Sequence, residues 1–511
     1  MKHRYAKTVS RLFRISIIIV IIPCCLAIRT FGQVDTVSTP VTVEEIITAL
    51  AGSKTGLPTT NRIWIKAVGD RGVGFFINDE IDGKMRKAGA SDALILSVRE
   101  SLCARYVELA GKCPEKDYAC QIANQTKALE FHPGDSDVLF SRGLAFDNGG
   151  NYDEAIIDYT STLKILPDDS AAYGNRANSH SRKGDRELAL KDYDRAIALA
   201  PKDPVILYNR ATFHFNGKKF DLSIKDYTGY ILLKPMEADG YGSRGDSYHE
   251  TAKYVLAIKD FTKAISLASK KSDYLVDRSR SYRSNNQIEL SFRDLDAALK
   301  IDPNSAYALH NRGVTFYSQE KHDNAIADYT RAIANDPANA EIYLNRGIAF
   351  IAKKQSVSGL IDFNKALEVD ANNALAYYWR GGLYLKAKDY EKAIFDFSRS
   401  IEINASDTDS YFERGLIYLD IEDNESALKD FNKVLELSPK YSEAFDNRSL
   451  IYLRTEAYDK AIADATTSIR LSPKSTYPYD IRSQAYEAIG EKVKATLDRK
   501  KFEELEKLKK P

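Results

Sequence analysis

The chain is 511 residues long, 44% apolar and 28% charged, a composition that suits a folded protein and excludes a disordered one. Its 73 basic and 72 acidic side chains nearly cancel, so the charge balance prepares no surface for phosphate neutralisation and argues against a nucleic-acid partner. Length alone would allow about three or four ordinary domains, but an internal period overrules that expectation.

The chain opens on Lys2, His3, Arg4, Lys7, Arg11 and Arg14, continues in an apolar run over 15–28, and leaves it through Thr30-Phe31-Gly32. Basic start, short apolar centre and small-residue exit are the parts of a secretory signal, predicted over residues 1–33. The run is shorter than the roughly twenty apolar residues of a spanning helix. A short uncleaved anchor is the alternative, and Cys24 after Ile22-Pro23 makes a lipid-attachment site a poorer third. The protein is therefore expected in an exported compartment, periplasmic or extracellular. Membrane association is expected only through an uncleaved N-terminal anchor.

Residues 34–41 read as a short lead, and 42–101 as a small helical module. The stretch from Val43 through Leu50 and the group Ile63, Trp64, Ile65 and Val68 have helical spacing. Gly72 and Gly74 interrupt the pattern around Phe75 and Phe76, and Ser91 is an N-cap for a segment through Leu94, Ile95 and Val98. The segments Arg71-Gly72-Val73-Gly74-Phe75-Phe76 and Ala88-Gly89-Ala90-Ser91 resemble a short module that precedes helical repeats in bacterial envelope proteins. Of the five cysteines, Cys103, Cys113 and Cys120 lie beyond the signal. In an oxidising compartment they make one disulfide and one remaining thiol; Cys113 with Cys120 and Cys103 with Cys120 both fit. Only His132 lies near them and there is no C-x-x-C pair, so no metal site is expected.

From residue 136 onward one arginine recurs every 34 residues, eleven times from Arg142 to Arg482, and an aspartate follows each by sixteen, from Asp158 to Asp498. Residues 102–135 form a degenerate copy that caps the series. Pro133 and Ala128 hold its expected slots, while Glu108 and Asn124 replace the arginine and aspartate. Eleven full repeats fill 136–511, and the charged run 500–507 is expected to be a solvated C-terminal capping face. In residues 306–339, Leu309, Gly313 and Phe316 make the apolar stripe of a first helix and a turn is predicted near 319–322. Ala325, Tyr329 and Ala332 make the stripe of a second helix, and Pro337 ends it.

Numbered from 306, the pattern is Gly or Ala at slot 8, an aromatic at 11, Ala at 20, an aromatic at 24, Ala at 27 and Pro at 32. It resembles the tetratricopeptide repeat (TPR) family over residues 136–508, in a bacterial form marked by Asn311-Arg312-Gly313 and Asp328-Tyr329-Thr330-Arg331-Ala332-Ile333. Slot 4 departs from the family by carrying Leu139, Tyr173, Leu309 or Tyr343 in place of tryptophan. The resemblance implies an all-α, right-handed α-solenoid of stacked helix-turn-helix units behind the small helical N-terminal module.

Arginine and aspartate fall on the first and second helices, so antiparallel packing is expected to pair Arg142 with Asp158, Arg176 with Asp192, Arg312 with Asp328 and Arg346 with Asp362. A structural ion-pair ladder is the expected result. Slots 2, 6, 9 and 13 share one helical face. In the TPR family that face lines the concave groove that takes extended peptide segments. Slot 6 holds Asn175, Asn209, Asn311, Asn345 and Asn447, a broken row similar to the asparagine ladder of the O-linked GlcNAc transferase repeats. An amide both donates and accepts, so such a row suits a peptide backbone; local bonding of subtype residues is the alternative. Tyr208, Tyr307 and Tyr378 are expected as exposed anchors, and Asp239, Asp246, Asp273 and Asp277 as an acidic patch. No phosphate loop, G-x-S-x-G or H-E-x-x-H motif is present, so no catalytic residue and no cofactor is expected. The expected function is a non-catalytic scaffold of the cell envelope that holds a protein or peptide partner. The alternative is a structural or self-assembling component whose groove contacts its own chain or another copy.

Overall fold

The structure, a computed structural model, describes residues 39–53 and 56–509; the signal and most of the lead lie outside the described residues. Among the described residues there are 27 helices, and the sole extended pairing is the bridge of Val41 to Val73. No helix among them is long and apolar enough to cross a membrane. The chain divides into two units, whose described residues are 39–269 and 270–509.

The first unit begins with helices Val43–Ala51, Leu57–Arg71 and Asp79–Lys87. Thr42 and Glu45 close a capping box at the first of them. Where Gly72 turns at φ +68°, Val41 pairs with the turn through Val41 N–H to Gly72 O and Gly74 N–H to Val41 O. Ile46, Leu50, Val68 and Met85 form the module's core together with Leu94, Val98 and Leu102 of the next helix, Asp92–Gly111.

That helix crosses the sequence-derived boundary at 101/102 without a break. No proline or glycine interrupts it before Gly111, so it simply exchanges partners. Leu94, Val98 and Leu102 face the module, while Cys103 packs with Ala128 and Leu129 of helix Tyr118–Phe131 and with Val138 and Leu139 of helix Ser136–Asn148. Between the first two of these helices Cys113 and Cys120 form a disulfide, and Cys103 is the buried free thiol.

Four repeats follow in this unit and seven in the second, each an antiparallel pair called here helix A and helix B. In the repeat from 306 these are Ala306–Ser318 and His322–Asn335. Helix A starts on a side-chain cap in most repeats, such as Asp135, Asp169, Asp203, Asn373 and Asp407. The turn after it enters the left-handed region at slot 15 in every repeat. Gly150, Gly184 and Gly490 occupy it, but so do Lys218, Ala252, Asn286, Glu320, Lys354, Lys388, Glu422 and Glu456 at φ 57–62°. Helix B stops at slot 30, two residues before the proline slot, and where proline is present it keeps the slot-31 residue out of the helical region.

The pair closes tightly at slot 8. A Cβ on Gly313 would lie 2.6 Å from Tyr329 Cε1, and one on Gly347 2.6 Å from Phe363 Cε1. Ala325 and Ala332 are fully buried beside the same ring. Small residues thus let the two helices approach and the aromatic fills what remains. The chain's last helix, Lys492–Lys509, buries Leu505 and exposes most of its charged residues.

Candidate functional site

All eleven arginine–aspartate pairs form as bidentate contacts. Nε donates to Oδ2 at 2.6–2.8 Å and Nη2 to Oδ1 at 2.7–2.9 Å, from Arg142–Asp158 through Arg312–Asp328 and Arg346–Asp362 to Arg482–Asp498. Every one of these aspartates is buried. Aromatic rings at slots 4 and 11 flank the guanidinium, as Tyr343 and Phe350 flank Arg346.

A third contact was not anticipated from the sequence. In ten repeats Nη1 reaches back to slot 25 of the preceding helix B, at 2.7–3.1 Å, where Thr126, Thr160, Asp194, Thr228, Asp296, Thr330, Asn364, Ser398, Asn432 or Thr466 accepts. The arginine therefore pins its own helix pair with two donors and its neighbour with a third. The signal lay in the sequence as a third beat of short acceptors, hidden because four residue types share it.

The candidate binding face is the strip of helix A that consecutive repeats present side by side. On it the asparagine row is largely committed to the fold. Asn175 and Asn311 are buried, and their amides donate to Ala171 O and Tyr307 O one turn back. Asn209 is buried as well. Half-buried Asn447 makes the same bond to Glu443 O, and Asn345 Nδ2 lies 2.8 Å from His310 Nε2.

The expectation of exposed tyrosine anchors is corrected. Tyr208 is 8% exposed, packs edge-on against Tyr227 and Tyr230, and shares a hydrogen bond with Ser243. Half-buried Tyr307 donates to Asp277 Oδ1 at 2.6 Å, and Tyr378 leans on Trp379 and Phe397. These rings pack against side chains of their own and neighbouring repeats, which leaves Tyr208 buried and Tyr307 and Tyr378 half-buried. Asp277 too is buried, so it contributes little to a surface acidic patch.

Two polar groups on this face, both in the second unit, went unrecognised in the sequence. In the first, His310 is buried and its imidazole is pushed down to about 3, by burial and then by Arg283 and Arg280; it is neutral in ordinary solution. Glu341 is pushed up to about 7 by burial, which outweighs the pull of Arg280 and Arg283. The second group is acidic. Burial, then neighbouring Asp409, raises the Glu413 carboxyl above its ordinary value. Asp446, 7% exposed, is pushed up to about 6 by burial, with Ser468 opposing and Glu443 adding to it.

Family models described as "Tetratricopeptide repeat" match residues 170–203, 238–271, 374–407 and 408–441, and one described as "TPR repeat" matches 315–353. These segments carry tetratricopeptide repeats. Four of the five matched segments coincide with the 34-residue frame set by the arginines. Among solved structures, the chain is similar to a chain of the APC/C hetero-tetramer Cut9–Hcn1, at 16% identity over 86% of this chain and 98% of that one, with a TM-score of 0.43. It is also similar to a tetratricopeptide repeat protein from Parabacteroides merdae, at 20% identity over 49% and 98% with a TM-score of 0.45. A third similarity is to YrrB, described as a TPR protein with an unusual peptide-binding site, at 22% over 36% and 95% with a TM-score of 0.31. No curated protein matches the chain. TPR proteins are commonly protein-interaction scaffolds rather than catalysts.

Ahead of the TPR array, Cys103 Sγ donates to Asp135 Oδ2 at 3.8 Å, and His132 Nδ1 lies 3.4 Å from the same oxygen. Burial, then the Asp135 charge, pushes the Cys103 thiol up to about 11. A thiol held that far above neutral pH is protonated, so the trio is no activated nucleophile.

Proposed function

We propose that this chain is a non-catalytic scaffold of an exported compartment that holds an extended, basic segment of a partner protein along the helix-A face. The reading rests first on the acidic group of the ninth and tenth repeats. Asp409 and Glu413 stand one turn apart on one helix A, half-buried, with Glu443 at the equivalent position of the next. The Glu413 carboxyl is raised first by burial and then by the like charge of Asp409, and a lysine or arginine side chain placed there offsets both. Tyr378 and Trp379, on the helix A before them, offer ring faces and edges to the same side chains. Export rests on the N-terminal pattern of basic start and apolar run.

The test is fluorescence anisotropy of the full chain with an extended lysine- and arginine-rich peptide, beside a neutral and an acidic peptide of equal length. The basic peptide alone should bind, weaken as salt rises, and lose affinity about tenfold or more in a Glu413→Lys, Glu443→Lys variant. Equal binding of the three peptides, or no effect of the two reversals, would refute the reading.

A second reading, self-association, is favoured by Val357, Ile361 and Phe395, which are 75%, 63% and 58% exposed on consecutive helices B. Sedimentation of the parent beside Phe395→Asp decides it, since only an interface at this patch changes mass on that substitution.

A further inference from the structure

Three side chains with different metal-ligand chemistry meet at the junction between the N-terminal module and the first full repeat, and they come from three consecutive helices. Cys103 lies on helix Asp92–Gly111, His132 is the C-cap of helix Tyr118–Phe131, and Asp135 is the N-cap of helix Ser136–Asn148. One ligand atom from each lies within 4.8 Å of the other two. We propose that Cys103 Sγ, His132 Nδ1 and Asp135 Oδ2 form a site for a thiophilic divalent cation of the zinc type, with a fourth position open to water.

The edge lengths fit. Bonds of about 2.0 Å to nitrogen or oxygen and about 2.3 Å to sulfur imply tetrahedral edges of about 3.3 Å and 3.5 Å. The corresponding separations here are 3.4 Å from His132 to Asp135 and 3.8 Å from Cys103 to Asp135. A small turn of the His132 ring, whose side chain is 47% exposed, brings the remaining pair closer and leaves an entry path for the ion. The aspartate is already fixed. Its Oδ1 accepts from Asp137 N–H and Val138 N–H at 3.0 and 3.1 Å, so Oδ2 is held in place at the triad.

A thiolate with an imidazole selects zinc and its neighbours over magnesium or calcium. Binding releases the Cys103 proton to solvent and ties together three helices that already share an apolar cluster. Among the described residues the set occurs once. The next repeats keep the capping aspartates Asp169 and Asp203 but place Leu166 and Ala200 where His132 stands, and Asp137 and Ala171 where Cys103 stands.

The probe is Co²⁺, titrated into metal-free full chain with Cys24→Ser and Cys25→Ser, followed by Zn²⁺ displacement. The expected result is one equivalent of Co²⁺ per chain, with a near-ultraviolet thiolate-to-cobalt band that Zn²⁺ abolishes. Cys103→Ser should remove the band. His132→Ala should weaken binding about tenfold or more, and Asp135→Asn should weaken it while keeping the helix cap. Far-ultraviolet circular dichroism checks that each variant is folded. Absence of stoichiometric uptake by the parent, or uptake with unchanged band and affinity in the folded variants, overturns the site.

Discussion

Replacing Arg312 by methionine removes a guanidinium whose Nε and Nη2 donate to Asp328 at 2.7 and 2.9 Å and whose Nη1 donates to Asp296 at 2.8 Å. The three contacts differ in worth. Asp328 is 4% exposed, so its carboxylate is left buried without its counter-charge, a loss of about 3–5 kcal/mol. The side chain of Asp296 is 58% exposed, and water replaces the lost partner there at a cost below about 1 kcal/mol. In a stacked array each unit touches only its neighbours, so the loss should concentrate in the repeat from 306 and the one before it. Hydrogen–deuterium exchange read on peptides from Ala306–Ser318 and His322–Asn335 is the appropriate assay. Protection there should fall by two to three and a half powers of ten, about what 3–5 kcal/mol corresponds to. The double variant Arg312→Met, Asp328→Asn should lose less than the two single variants added together, because with both groups removed no bare charge stays buried. Protection within tenfold of the parent in Arg312→Met would show that the pair behaves as a surface contact and refute the reasoning.

Ala252→Gly and Glu320→Gly should each raise stability by about 0.5–1 kcal/mol, read as a higher urea midpoint. Both residues now hold φ 57–59°, where a side chain is disfavoured and glycine is not, although glycine also gains freedom in the unfolded chain. The pH dependence of stability should change in Glu341→Gln. The folded carboxyl sits near 7, above its ordinary value of 4.5, so the folded state binds the proton more tightly. Stability from this group is present below about 4.5 and lost as pH rises through 7; melting temperatures at pH 5 and 8 should therefore differ less in the variant than in the parent. Reduction of the Cys113–Cys120 bridge, which spans seven residues, should weaken the first unit by about 2 kcal/mol. A Cys113→Ser, Cys120→Ser chain should not respond to reductant.

The fold was legible because its frame repeats. Arg312, Asp328, Gly313 and Tyr329 each hold a geometric duty that every helix pair shares, so the period alone exposes them. The turn at slot 15 shares that duty but was invisible: eight of its eleven residues are not glycine, and the left-handed conformation is imposed by the helix pair around it. Asn175 and Asn311 follow the local-bonding alternative for a related reason. Spacing puts them on the right face, yet an amide one turn from a carbonyl bonds backward before it meets a ligand. Cys103, His132 and Asp135 stood 29 and 3 residues apart in the sequence, and only the degenerate repeat's packing brings them together.

These failures share a cause that also locates specificity. A residue present at every period cannot tell one stretch of partner from the next, because all repeats offer the same group. The arginine ladder, its aspartates and its slot-25 acceptors are thus confined to holding the stack. Slot 2, by contrast, reads Asp137, Ala171, Val205, Asp239, Asp273, Tyr307, Glu341, Leu375, Asp409, Glu443 and Tyr477 along the chain. It changes charge, size and polarity from one repeat to the next while its backbone stays in register. The perturbed carboxyls of Glu341 and Glu413 lie at slot 2 or one turn beyond it, where packing demands nothing fixed and burial still makes a charge costly. A partner that supplies a cation there gains from a strain already present in the free chain, and repeats without such a group contribute contact but little discrimination.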